Sequence, residues 1–294
     1  MLWPMARIAI IGGGNIGEAL LSGLLRAGRQ TKDLVVAEKD PARAKQLAEK
    51  YLVQVSSVGD AAENAAYVIV AVKPSDVESV VAEVAESVAR ADNDSVEQVF
   101  VTVAAGVTTA YYQSKLPAGA PVIRVMPNAP MVVGGGVSAV APGNFATAEQ
   151  LKEVVSIFDA VGGVLTVPET QLDAVTAVSG SGPAYFFLMV EALIDAAVAE
   201  GLPRSVATEL VSQTMAGSAA MLLESLDRQQ PAGVAAMGAG IDASAAQLRA
   251  TVTSPGGTTA AGLRELERGG LRAAVANAVS AAKTRSEQLG ITSE

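Results

Sequence analysis

Residues 7–17 read Arg-Ile-Ala-Ile-Ile-Gly-Gly-Gly-Asn-Ile-Gly, an apolar run that leads directly into the pattern G-x-G-x-x-G at Gly12, Gly14 and Gly17. Apolar side chains then recur at helical spacing over residues 19–25. A strand, a glycine turn and a helix in this order are typical of a dinucleotide-binding unit, in which the pyrophosphate lies at the helix N-terminus. The alternative is a glycine-rich strand-to-helix turn without a ligand.

Short apolar runs alternate with helical patterns through the first half of the chain, which predicts an α/β fold with a parallel, doubly wound sheet. The predicted strands are Arg7–Ile11, Leu34–Glu38, Tyr67–Val72, Val99–Val103, Pro121–Val125, Gly136–Val140 and Gly163–Val167. The predicted helices between them are Ile16–Ala27, Ala42–Lys50, Ser75–Ala91, Thr109–Ser114 and Ala148–Ala160.

The pattern changes near Pro168, after which strand signals are few and Ala, Leu and Val dominate. We therefore expect an N-terminal Rossmann dinucleotide-binding domain over residues 1–167 and an all-helical domain over residues 168–294. The helix predicted at Ala184–Glu200 is apolar on nearly all sides, so it should be buried, either at a subunit interface or at the centre of one subunit. Gln229–Ala243 is rich in Ala, Gly and Pro, which predicts a mobile loop.

Composition excludes several classes of function. The chain has 294 residues, 50% of them hydrophobic, and a net charge of −9, which argues against nucleic acid or an anionic membrane as a partner. It has no cysteine and no histidine, so disulfides, thiolate nucleophiles, histidine acid–base catalysis and most metal sites are excluded. No signal peptide or membrane-spanning run is evident, and we expect a cytoplasmic protein without a metal.

The end of the second predicted strand carries opposing signals about the cofactor. Glu38 stands about 20 residues past the glycine turn, where an acidic side chain takes the ribose hydroxyls of NAD. Lys39 and Arg43 follow closely and could hold the 2′-phosphate of NADP. The sequence leaves both cofactors open, and an exposed charge without a ligand role is the third possibility for Glu38.

Other predicted strands also end in candidate site residues, because ligands bind at the carboxyl edge of such sheets. Lys73 in Ala71-Val72-Lys73-Pro74 is expected to contact the cofactor, although a solvated charge at a helix start is the alternative. The small residues Ala104-Ala105-Gly106 would leave room for nicotinamide. Asn128 lies between two prolines in a rigid loop that faces the nicotinamide or, alternatively, serves as a structural crossover.

A second candidate anion site lies in the helical half, at Ser254-Pro255-Gly256-Gly257-Thr258-Thr259. Glycines before a helix expose backbone N–H groups, and Ser254, Thr258 and Thr259 add hydroxyls that suit a small carboxylate. A helix cap without a ligand is equally compatible with the pattern.

The distribution of lysine favours one type of reduction. From Thr170 onward the only lysine is Lys283. Hydroxyacid dehydrogenases with a Rossmann-plus-helical layout commonly carry a proton-transferring lysine at the start of the helical domain, where this chain has Ser179–Pro183. Alcohol oxidation needs a base, whereas a protonated imine is already electrophilic. The lack of a lysine or histidine base in this region therefore favours reduction of a C=N bond. A hydroxyacid oxidoreductase and a dinucleotide-binding protein without turnover are the alternatives.

Taken in order, these motifs resemble the pyrroline-5-carboxylate reductase family over nearly the whole chain. The run from Asp173 to Tyr185 is one of the matching motifs, and the most specific match is Val252–Leu263. The resemblance implies reduction of 1-pyrroline-5-carboxylate to L-proline with NADPH or NADH. It also implies homodimers, formed through the helical domain, that assemble further into a decamer.

The resemblance and the motifs together give the predicted site. The cofactor-binding residues are Ile11, Gly12, Gly13, Gly14, Asn15, Ile16, Gly17, Glu38, Lys39, Ala71, Val72, Lys73, Pro74, Ala104, Ala105, Gly106 and Asn128. The resemblance implies that the substrate contacts Val252, Ser254, Gly256, Gly257, Thr258 and Thr259, and that Thr259 is the catalytic residue that hydrogen-bonds the ring nitrogen.

Two segments depart from the family pattern. Ala129 stands where a threonine is usual, and Asp227–Ala246 is longer than usual, so no acidic residue is assigned to the substrate pocket.

Overall fold

The computed structural model describes residues 6–90, 97–229 and 244–291. Residues 230–243 of the mobile loop predicted at Gln229–Ala243 lie outside these residues, as does most of the long segment Asp227–Ala246. The chain forms two compact units, one of Met1–Pro183 with Val279–Glu294 and one of Ala184–Ala278. This division follows Pro183, whereas the sequence placed the domain boundary near Pro168.

The first unit contains an eight-stranded sheet with strand order β3-β2-β1-β4-β5-β6-β7-β8 among the described residues. The strands are β1 (Ile8–Ile11), β2 (Leu34–Ala37), β3 (Gln54–Ser56), β4 (Tyr67–Val70), β5 (Val99–Thr102), β6 (Val122–Met126), β7 (Gly136–Pro142) and β8 (Gly162–Thr166). The strand order reverses between the neighbouring strands β1 and β4: the chain builds outward from β1 to β3 on one side, and from β4 to β8 on the other. Ligands bind at such a switch point in open α/β sheets.

Two details of the sheet differ from the sequence prediction. β7 runs antiparallel to β6, with Val125 opposite Val140, so the expectation of a wholly parallel sheet was wrong. The connection between them holds only a short 3-10 turn, Ala129–Val133, which is too short for the crossover that a parallel pair requires. The edge strand β3 was not predicted, because three partly exposed residues give little periodic signal.

Helices cover both faces of the sheet, as parallel strands require. They are α1 (Asn15–Arg26), α2 (Pro41–Tyr51), α3 (Val58–Ala62), α4 (Val77–Arg90), α5 (Thr109–Lys115), α6 (Ala148–Asp159) and α7 (Leu172–Val175). Alternate residues of β1 point into two separate cores: Ile8 and Ile10 into one, Ala9 and Ile11 into the other. The central strands are therefore buried on both faces, and this burial explains their continuous apolar sequence.

The helical half continues with α8 (Gly182–Ala199), α9 (Arg204–Gln229), α10 (Ser244–Thr251), α11 (Thr258–Arg268) and α12 (Leu271–Ile291). A π-helical turn, Thr176–Gly180, precedes α8. The apolar side chains of α8 are exposed in the single chain; Phe187 and Leu188 are 65% and 67% accessible. The run Glu169–Ala199 is long and apolar enough to span a membrane by length and composition alone.

Candidate functional site

The glycine turn joins β1 to α1 and contacts the neighbouring strands through its backbone. Gly12 has φ of +107°, and a Cβ there would lie 2.6 Å from the Ala71 carbonyl oxygen. A Cβ on Gly17 would lie 1.9 Å from the carbonyl oxygen of Gly12. A Cβ on Gly14, in contrast, would meet nothing within 4 Å. Gly12 and Gly17 are therefore required by packing, whereas the space beside Gly14 is open for a ligand.

A cavity of about 400 Å³ opens beside this turn, at the carboxyl ends of β1, β2 and β4. Eight residues of the predicted cofactor set line it: Ile11, Gly12, Gly14, Glu38, Lys39, Ala71, Val72 and Lys73. The other lining residues were not predicted: Ala37, Ser56, Ser57, Val58, Asp76, Ser79, Val80 and Glu83. Most of these follow β3 or begin α4. Recognition of β3 would have located the serines.

The cavity has features that suit the phosphates and ribose of a dinucleotide. An open space beside Gly14 adjoins the N-terminus of α1, whose cap residue makes no side-chain hydrogen bond. Free backbone N–H groups and the helix dipole favour an anion at this place. Glu38 lies on the β2 side of the cavity, where a ribose is bound in folds of this kind.

Glu38, just after β2, and Arg43, on α2, hold the peptide of Gly13. The Gly13 N–H donates to Glu38 Oε2 at 2.8 Å, and Arg43 Nε donates to the Gly13 carbonyl at 2.9 Å. The second oxygen of Glu38 accepts from the Asp40 N–H at 2.8 Å. Charge-assisted hydrogen bonds of this length fix both side chains against the turn. Gly13 is therefore held through its backbone, and it is not among the residues that line the cavity.

Glu18, in the first turn of α1, joins the same network. It accepts hydrogen bonds from Arg43 Nη2, from Lys50 at 2.9 Å and from Tyr51 at 2.8 Å. Burial raises the pKa of Glu18, but the bonds from Lys50, Arg43 and Tyr51 outweigh it, and the pKa falls to about 2. Glu18 is therefore ionised at neutral pH, and its charge is neutralised by the cations around it.

Lys39, the other candidate for a 2′-phosphate, points along the cavity wall. Its Nζ donates to Asp76 Oδ2 at 2.8 Å, and the bond raises the pKa of the ammonium group. The side chain is 80% accessible, so this surface pair contributes little to stability.

The loop after β5 carries Ala104, Ala105 and Gly106 and packs against the last turn of α12. Gly106 has φ of +78°, and a Cβ there would lie 3.1 Å from the backbone nitrogen of Gly290. The Ala104 N–H donates to Thr102 Oγ1 at 3.2 Å, and this hydroxyl donates to Tyr112 Oη at 2.7 Å. The loop is held from both sides. Contact of these residues with a cofactor stays a prediction.

Asn128 is occupied by the fold. Its Oδ1 accepts from the Val137 N–H at 2.8 Å, and its Nδ2 donates to the Ser179 carbonyl at 3.2 Å. It therefore links the start of β7 to the π-helical turn before α8. Asn128 is only 9% accessible. Its contact with nicotinamide stays a prediction.

The sequence did not reveal a partly buried charge cluster formed by Thr109, Arg124 and Glu169. Glu169 accepts from the Thr109 N–H at 2.8 Å, from Thr109 Oγ1 at 2.6 Å and from Arg124 Nη1 at 3.3 Å. The Arg124 side chain is 6% accessible. Because the partners are distant in sequence, no local signal could have paired them.

The predicted substrate loop belongs to the second unit, which is described by itself. Gly256 has φ of +70°, the Gly257 N–H donates to the Ser254 carbonyl at 3.0 Å, and Gly257 caps α11 without a side-chain hydrogen bond. Ser254, Thr258 and Thr259 are exposed. The predicted turn and helix are confirmed. Binding of a substrate by Val252, Ser254 or Gly256–Thr259 stays a prediction.

Comparison with known proteins identifies the family. Residues 169–289 match the model described as pyrroline-5-carboxylate reductase dimerisation, and residues 7–106 match the model described as NADP oxidoreductase, coenzyme F420-dependent. Pyrroline-5-carboxylate reductases of Mycobacterium tuberculosis and Mycobacterium leprae are 68% and 70% identical to this chain, and the matches cover 100% of each chain.

Solved structures give the same result. A pyrroline-5-carboxylate reductase from Coxiella burnetii aligns with a TM-score of 0.85 at 33% identity, covering 97% of this chain and 99% of that one. The Plasmodium falciparum pyrroline carboxylate reductase with NADP bound aligns with a TM-score of 0.78 at 28% identity, covering 97% and 98%. This chain belongs to the pyrroline-5-carboxylate reductase family of NAD(P)-dependent oxidoreductases.

Proposed function

We propose that this protein reduces 1-pyrroline-5-carboxylate to L-proline, the last step of proline biosynthesis, with NADPH or NADH. The observation that carries the proposal is the glycine-lined cavity at the switch point of the sheet, in a chain 68% identical over its full length to a protein named for this activity. The absence of histidine and cysteine supports imine reduction, which needs no strong base.

Within this proposal, Gly12–Gly17 and the N-terminus of α1 hold the dinucleotide phosphates, and Glu38 lies beside the adenosine ribose. Lys73 and the residues that follow β4 line the same cavity. Ala104–Gly106 and Asn128 flank the nicotinamide, which supplies the hydride for the imine carbon when bound.

The substrate is assigned to the loop before α11. The backbone N–H groups of Thr258 and Thr259, in the first turn of α11, suit its carboxylate, because the N-terminus of a helix attracts anions. The Thr259 hydroxyl orients the ring nitrogen by a hydrogen bond. A hydroxyl is too weak an acid to protonate the ring by itself, so Thr259 is assigned to orientation or to proton relay from water.

We further propose a homodimer that assembles up to a decamer. The exposed apolar side chains of α8, among them Phe187 and Leu188, need cover that a second copy would supply. The same reasoning assigns α8 to a protein interface and not to a membrane. The dimerisation model begins at residue 169, which supports a domain boundary near residue 168.

The net charge of −9 supports a protein without nucleic-acid partners. A cytoplasmic location is part of the same proposal. Light scattering of the purified full chain would test the assembly, and a monomer at micromolar concentration would contradict it.

The direct test measures the oxidation of NADH and of NADPH in the presence of pyrroline-5-carboxylate, through the absorbance of the reduced nicotinamide. We expect turnover that depends on the substrate, and no oxidation with either cofactor would refute the proposed function. Thr259→Ala should lower kcat/KM at least about tenfold, the range of a lost orienting contact, whereas Thr259→Ser should retain most activity. Thr31→Ala, in an exposed turn of the first unit, is the matched control. Unchanged kinetics of Thr259→Ala would remove its assigned role.

A further inference from the structure

The two basic residues that follow Glu38 each form an ion pair with a carboxylate. Arg43 uses Nε for the Gly13 carbonyl, Nη1 for Gln46 at 2.7 Å and Nη2 for Glu18. Its side chain is 24% accessible. Release of Arg43 would leave the Gly13 carbonyl without this donor and Glu18 without one of its cations. Arg43 therefore belongs to the support of the glycine turn.

Lys39 lines the cavity, but its charge is paired. Its ammonium group lies 2.8 Å from Asp76 Oδ2, and Asp76 lines the same cavity. Glu83 adds a further carboxylate to the lining. Among the described lining residues the acidic side chains are Glu38, Asp76 and Glu83, and the basic ones are Lys39 and Lys73. The cavity lining as a whole thus has no excess of positive charge.

Glu38 itself is fixed in place. One carboxylate oxygen is held by the Gly13 N–H and the other by the Asp40 N–H, both at 2.8 Å. Each oxygen retains a further lone pair for a ribose hydroxyl. A 2′-phosphate carries nearly two negative charges and cannot donate such bonds, so it would be repelled by the fixed carboxylate.

We propose that Glu38 is the residue that selects against a 2′-phosphate at this site, and that Arg43 positions the glycine turn for either cofactor without touching that phosphate. This inference rests on the proposed assignment of the cavity to the dinucleotide. It adds the residue that sets the choice between NAD and NADP and assigns Arg43 to scaffold support, two points that the sequence left open.

Titration calorimetry of the full chain with NAD⁺ and with NADP⁺ tests the proposal through binding. Glu38→Gln keeps one acceptor and removes the charge. The ratio Kd(NADP⁺)/Kd(NAD⁺) should then fall at least about fivefold, since a like charge near the phosphate is lost. A smaller fall would overturn the proposal. Loss of the Gly13 hydrogen bond would weaken the binding of both cofactors equally. The ratio of the two dissociation constants therefore reports the effect of the Glu38 charge and not the support of the glycine turn.

Arg43→Gln provides the second arm. It should raise both dissociation constants by the same factor and leave their ratio within about twofold, because the lost bond to Gly13 serves both cofactors. A selective loss of NADP⁺ affinity would show that Arg43 reaches the 2′-phosphate, and would overturn the assignment. Glu49→Gln, an exposed carboxylate on α2 that does not line the cavity, is the matched control and should leave both constants unchanged.

Turnover separates this inference from the proposed function. Wild-type protein that binds a cofactor but does not oxidise it with pyrroline-5-carboxylate refutes the function and leaves the Kd ratios interpretable. Turnover with an unchanged ratio in Glu38→Gln refutes only the selectivity assigned to Glu38.

Discussion

The two glycines Gly14 and Gly17 give a sharp test of the site, because the same substitution should act on different properties. A Cβ on Gly17 would lie 1.9 Å from the backbone oxygen of Gly12. Real Cβ contacts are essentially never under 3.0 Å, so backbone atoms would have to move by about 1 Å. Gly14 has φ of −67° and ψ of −169°, which alanine adopts freely, and its Cβ would contact no protein atom within 4 Å.

We expect Gly17→Ala to destabilise the protein by about 3 kcal/mol, the upper range of overpacking costs, because backbone cannot rotate away as a side chain can. The corresponding fall in Tm is about 6–12 °C for a unit of this size. Gly14→Ala should instead stabilise the fold by about 0.4–1 kcal/mol, because alanine restricts the unfolded chain. Its methyl group would stand where the phosphates approach, and the Kd for NAD⁺ should rise at least about tenfold.

Circular dichroism melting and titration calorimetry on the same samples measure both properties. The expected pattern is a lowered Tm for Gly17→Ala, and weakened binding at a preserved or raised Tm for Gly14→Ala. If Gly14→Ala bound NAD⁺ as tightly as wild type, the cavity beside Gly14 would not be the phosphate site. If it lost as much stability as Gly17→Ala, the packing argument would be wrong.

Three further predictions concern the surroundings of the site. Glu169→Ala should lower the free energy of unfolding by about 2–4 kcal/mol, because it leaves buried Arg124 unpaired, and Arg124→Met added to it should restore part of the loss in a double-mutant cycle by urea unfolding. Asn128→Asp keeps the acceptor for β7 but sets a carboxylate against the Ser179 carbonyl, so Tm should fall more than for Asp introduced at exposed Asn144; an equal effect would contradict the link. The depressed pKa of Glu18 means that its stabilisation is complete above pH 4.5 and is lost as pH falls towards 2; Glu18→Gln should flatten the Tm profile over that range, and an unchanged slope would refute the network.

Sequence pattern was sufficient where the determinants are local. The apolar run before Gly12, the helical spacing after Gly17 and the strand-to-turn boundaries predicted most strands within a residue or two, because alternating buried strands and amphipathic helices impose their own periodicities. The glycine turn before α11 was predicted by the same logic.

Tertiary structure decided what depends on partners distant along the chain. β7 runs antiparallel to β6 because the connection between them is too short for a parallel crossover. The sequence of Gly136–Pro142 by itself does not indicate the direction in which the strand pairs. Ser56, Ser57 and Glu83 reach the cavity only because β3 and α4 are brought to the sheet edge.

The roles of the charged residues around the turn were also beyond sequence reasoning. In the sequence alone, Glu38 favoured NAD, whereas Lys39 and Arg43 could hold the 2′-phosphate of NADP. The fold engages Arg43 with Gly13 and Glu18, pairs Lys39 with Asp76, and fixes Glu38 through two backbone N–H groups. The sequence by itself determined the dinucleotide-binding architecture and the family, because these rest on local backbone requirements. Only the tertiary structure decided which charges remain to face a ligand, because hydrogen bonds across 25 to 37 residues allocate them.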